Sequence, residues 1–180
     1  MRITEIATFC LAFFLAAIGL VEYLDRRYLN PAQTWISSYI TDVPLSWLED
    51  LGFVSLAASM ELMPHIFKAG MPQTVALSVG GVAALMVIAS RKYFPTWFPS
   101  LSPETITRIH ILSAGIAFIA AFGGILIGSS IFVKLTLGAA VLVSGLVFNT
   151  SSPVKGQMIE KILAVGICIA GLVRLISLVR

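Results

Sequence analysis

Side chains that could do acid-base chemistry are few: two histidines and nine acids in 180 residues. Those beside His110 matter most. His110, Asp50 and Glu160 all lie near the ends of apolar segments, so a histidine and carboxylates could meet at one membrane interface and move protons on a lipid headgroup. The competing reading is ordinary: acids favour helix starts, and arginines near segment ends reach for water. Glu61 and His65 stand four residues apart, a spacing that can supply two metal ligands where zinc needs three or four. The second histidine belongs to another segment, most of a bilayer thickness away, so neither a metal nor a haem held by both is expected. No cofactor is implied. Lys134 sits at a depth comparable to Glu61, and a buried ion pair between them would neutralise both. A proton or ion pathway through Glu61 is the alternative.

These residues are embedded in a chain that is 58% hydrophobic and 12% charged, with a mean hydropathy of +0.95. A water-exposed domain carries roughly twice this charge density, so a soluble domain, a disordered tail and a collagen-like fibre are excluded. The net charge of +3 does not point to nucleic acid. Its basic residues come singly or in pairs between apolar runs, as membrane-flanking anchors do. Membrane lipids are the expected partners, with other membrane-protein subunits as further candidates. Cys10 and Cys168 fall inside apolar segments and define no disulfide framework.

A hydrocarbon core about 30 Å thick needs about 20 apolar residues per helix. Six segments fit, approximately 3–21, 45–67, 74–89, 103–128, 130–148 and 158–178. The second and sixth carry internal charges, which leaves five crossings as an alternative. The expected fold is all-α: one transmembrane domain over 1–180, a six-helix bundle with a short interfacial helix over 32–40. The first segment resembles a secretory leader but is expected to be a retained helix. Ser102-Pro103-Glu104 writes a helix start: a capping hydroxyl, a proline at the first helical position and an acid in the first turn.

Six crossings place both termini on one face and the longer connections on the other. That second, loop face collects the tryptophans and tyrosines, among them Trp35, Tyr39, Trp47, Tyr93 and Trp97, beside Arg26 and Arg27. An aromatic belt normally decorates both interfaces. The one-sided placement suggests an ordered cap that recognises a lipid headgroup or a partner, although long loops also simply offer more interfacial positions. In the second segment Asp50, Ala57, Glu61 and His65 fall on one stripe, which is expected to face the bundle interior. In the fourth, His110, Ser113, Ala117, Ala121, Gly124 and Gly128 form a stripe of mostly small residues suited to close helix packing, or to a homodimer seam.

The order of several short motifs is suggestive. Ile36-Ser37-Ser38-Tyr39-Ile40, Tyr93-Phe94-Pro95, Ile109-His110 and Gly156-Gln157-Met158-Ile159-Glu160-Lys161 resemble the bacterial domain of unknown function 998 family. That family looks related to the eukaryotic Frag/DRAM/Sfk group of six-helix membrane proteins. The resemblance implies six helices, a bacterial inner-membrane location and cytoplasmic termini, and lends weight to His110 and Glu160. It opposes the basic-residue count, which leans toward a cytoplasmic loop face.

The expectation is a non-enzymatic multi-pass protein, an accessory subunit or lipid-binding component. Two readings compete with it: an intramembrane lipid hydrolase or transferase using His110 with Asp50 or Glu160, and a small proton-coupled transporter working through Glu61. The transporter reading lacks the inverted repeats such carriers show.

Overall fold

Helix starts fall where the local chemistry puts them. The side chain of Ser102 accepts a hydrogen bond from the Thr105 backbone N–H at 3.2 Å, closing one of the donors that a helix start leaves open. Replacing Ser102 with alanine is expected to lower stability by about 1 kcal/mol, readable as a lower melting temperature of the purified protein. The nearby Arg108–Glu104 pair, at 2.6 Å, is fully in the open and adds little.

The computed structural model describes residues 2–24, 44–150 and 155–178. Seven helices occur among them: α1 (Ile3–Leu24), α2 (Ser46–Phe67), α3 (Met71–Lys92), α4 (Phe94–Trp97), α5 (Pro103–Leu126), α6 (Ile131–Phe148) and α7 (Lys155–Ser177). No strand occurs among the described residues. Four helices, α1, α3, α5 and α6, are long and apolar enough to cross a membrane. The chain is thus an all-helical, multi-pass integral membrane protein. The interfacial helix expected over 32–40, with Arg26, Arg27, Trp35 and Tyr39, lies outside the described residues.

Helices α1 and α2 pack side by side, as do α2 and α3, and α3 and α5. Helix α7 touches both α5 and α1 and closes the ring, while α6 packs chiefly on the outside of α7. Phe14, Leu11, Met60, Met63, Leu77 and Ile125 are fully buried in the core. Large apolar side chains such as Ile119, Phe132 and Leu142 face outward, as suits a hydrocarbon solvent.

The small-residue stripe of α5 is intramolecular packing. His110, Ser113, Ala117, Ala121 and Gly124 are all buried, and a Cβ on Gly124 would lie 2.5 Å from Leu77 Cγ on α3. Gly128 lies past the helix end with φ +67°, a left-handed conformation that glycine adopts without strain.

Two expectations require correction. The stripe of α2 does not face inward as a whole: Ala57 is buried, but Glu61 and His65 are exposed. Nor do Glu61 and Lys134 form an ion pair among the described residues. Glu61 accepts a hydrogen bond from Ser78 on α3 at 3.0 Å, and Lys134 is exposed on α6. The reason is neighbour order, because α6 packs on α7 and not against α2.

Candidate functional site

The loop-face ends of five helices bring charge together. Glu22 ends α1, Glu49 and Asp50 begin α2, Arg91 and Lys92 end α3, His110 lies near the start of α5, and Glu160 and Lys161 near the start of α7. Glu49 in the first turn of α2 and Arg91 and Lys92 in the last turn of α3 suit the helix dipoles, whereas Glu22 at the end of α1 and Lys161 near the start of α7 oppose them and rely on their partners. Lys92 pairs with Asp50, joining α3 to α2, and Lys161 pairs with Glu22 at 2.6 Å, joining α7 to α1. Glu49 is fully buried between these pairs, within electrostatic reach of Glu160, Asp50, Glu22 and Lys161. Neither of its carboxyl oxygens has a hydrogen-bond partner among the described residues.

His110 is held from α3. Its Nδ1 lies 3.1 Å from the Val87 carbonyl oxygen and 3.1 Å from Ser90 Oγ, and Ser90 Oγ donates to the same carbonyl. A carbonyl only accepts, so the network assigns the ring proton to Nδ1 and leaves Nε2 as a lone-pair acceptor. Nε2 is buried and has no partner among the described residues, as is also true of Arg91 Nε.

His110, Arg91 and Glu160 line one end of a cavity of about 600 Å³ between α5 and α7. Gly115, Phe118 and Leu163 continue its wall away from the loop face. From Thr107 to Ile119 the lining covers 12 residue steps of α5, about 18 Å along the helix. Ile111 and Ile119 belong to this wall and are also exposed, so the cavity is a cleft that opens sideways on the bundle surface. A second cavity of about 410 Å³, lined by Ser78, Val82, Met86 and Ser113 among others, holds no cluster of charge.

The cluster expected from the sequence is thus assembled in part. Asp50, Glu160 and His110 share the loop-face end, but no carboxylate among the described residues hydrogen-bonds to His110, and Asp50 is engaged by Lys92. The expected His110–Asp50 partnership is therefore replaced by a His110–Ser90–Val87 one. Trp47, Tyr93 and Trp97 are exposed at the same end, with Tyr93 and Trp97 stacked at 5.1 Å. None of the three lines the cleft. No group of three or more metal-ligating side chains occurs among the described residues.

Sequence reasoning missed Ser90, Lys92 and Lys161 as partners. The signal available was a small polar residue beside a basic pair in the last turn of an otherwise apolar helix. It also missed how the opposite end of α5 is closed. Arg174 of α7 donates to the Ile125 carbonyl at 2.5 Å, and Gln73 of α3 donates to the Gly124 carbonyl at 2.6 Å.

No family model, curated protein or solved structure matches the chain. The reading of function below therefore stands on the geometry.

Proposed function

We propose that this protein binds a membrane lipid in the cleft between α5 and α7, and acts as a lipid-binding or accessory component of a membrane assembly. One observation carries the reading: the cleft has charged and polar residues at its loop-face end and an apolar body, from Ile111 to Ile119 on α5, running about 12 Å toward the membrane interior. That is the polarity of a phospholipid, with the headgroup at the interface and a chain in hydrocarbon.

The proposal includes six crossings. Helices α2 and α7, of 22 and 23 residues, match the lengths of the apolar helices, and each lies between two of them in the ring. Both termini then share one face. The resemblance to the domain of unknown function 998 family belongs to the same proposal and supports a bacterial inner membrane with cytoplasmic termini.

A hydrolase or transferase would need His110 oriented by a carboxylate, whereas Ser90 and Val87 occupy that edge of the ring. A carrier through Glu61 would need that residue in a central wet cavity, whereas it lies on the outer surface beside Ser78.

Gly115 supplies the test. A Cβ added there meets nothing within 4 Å, and Gly115 lines the cleft, so a leucine side chain starts in open space on the cleft wall. Gently extracted wild-type protein is expected to retain a phospholipid in native mass spectrometry, and Gly115→Leu to lower that retention about tenfold. Equal retention by the two proteins would refute the reading.

A further inference from the structure

The polar end of the cleft offers a donor and acceptors side by side. Arg91 is donor-only, its Nε has no hydrogen-bond partner, and it is in no ion pair among the described residues. His110 is 2% exposed and carries an acceptor Nε2 that is also unpartnered. Glu160 already has an interaction, yet a carboxylate has about four acceptor sites and keeps room for more. Guanidinium suits phosphate, through paired charge-assisted hydrogen bonds. The two acceptors suit a cation that carries N–H groups.

Resting on the lipid-binding reading above, we infer that the occupant is a phospholipid with a phosphate and a primary ammonium in its headgroup, of the phosphatidylethanolamine type. Its phosphate sits against Arg91 and its ammonium against His110 and Glu160. Choline lipids have the same charges but no N–H to satisfy the acceptors. A glycerol headgroup offers a hydroxyl but leaves the lipid with a net negative charge. That charge meets no surplus of positive charge here, because Glu22, Asp50 and Glu160 already balance Arg91, Lys92 and Lys161 among the described residues. A headgroup of zero net charge enters this end at the least electrostatic penalty.

The experiment incubates the full-length protein in detergent with equimolar dioleoyl phosphatidylethanolamine and dioleoyl phosphatidylcholine and reads the retained lipid by native mass spectrometry. The ethanolamine lipid is expected to be retained about tenfold over the choline lipid, with the N,N-dimethyl derivative between them. Dioleoyl phosphatidylglycerol is expected not to displace it. Glu160→Gln and His110→Phe are each expected to bring the ratio toward unity while the protein still carries lipid. The two variants and the unmodified protein report separately, so misfolding of one variant leaves the comparison intact. A ratio of one in the wild type, with lipid still lost in Gly115→Leu, overturns the headgroup assignment and leaves the cleft reading standing. Preference for the glycerol lipid overturns it in the same way. Retention that is absent, or indifferent to Gly115→Leu, overturns both.

Discussion

Arg174→Met is expected to lower the unfolding free energy by about 3 kcal/mol, because the guanidinium holds three things at once. It is 8% exposed. Its Nη1 donates to the Ile125 carbonyl at 2.5 Å and reaches the Gly124 carbonyl at 3.4 Å, and its carbon lies 3.8 Å from the centre of the Phe67 ring. The last carbonyls of a helix have no partner of their own, and in hydrocarbon no water replaces one. A cation there also faces the negative end of the α5 dipole. Arg174→Lys keeps the charge but loses the planar fork and the stacking on Phe67, so an intermediate loss is expected. Gln73→Leu removes the neutral half of the same cap and is expected to lose less. Denaturation of purified protein followed by circular dichroism measures all three; an Arg174→Met curve that overlays the wild type would refute the capping role.

Glu49→Met is expected to act in the opposite direction, raising stability by about 1 to 3 kcal/mol. Glu49 is 0% exposed, both its oxygens lack partners among the described residues, and three of the four charged groups around it are acids. Methionine fills similar volume without a group that needs solvation. Since Glu49 does not line the cleft, lipid retention should be unchanged while the unfolding midpoint rises. A lower midpoint would mean that the carboxyl makes an interaction the bundle needs.

Much of this was legible from the chain alone. The stretch expected at 3–21 is Ile3–Leu24, and the one at 45–67 is Ser46–Phe67. The differences have a common cause. Hydropathy stops at the first charge, whereas backbone hydrogen bonding continues through it. Arg91 and Lys92 therefore sit inside α3 and not after 89, and α7 begins at Lys155 rather than 158. The inward stripe of α5 was readable because Ala117, Ala121 and Gly124 repeat the period that His110 starts. Glu61 and Lys134 were different: equal depth is one coordinate, and contact also requires adjacent helices. The ring order follows from side-chain fit, such as Gly124 against Leu77, which no periodicity encodes. His110 was located correctly and partnered wrongly for the same reason.

The peripheral seat of α6 has a consequence for how the protein is made. In the six-crossing arrangement, α2 carries Glu49, Asp50 and Glu61, and α7 carries Lys155, Glu160, Lys161 and Arg174, so neither partitions readily from the ribosomal exit into lipid by itself. Among the described helices, each follows an apolar helix that packs along it, α1 for α2 and α6 for α7. Each pair can enter the bilayer as an antiparallel hairpin, the greasy member escorting the charged one. With six crossings, helix α6 would act in biogenesis as the chaperone in cis of the helix that completes the cleft.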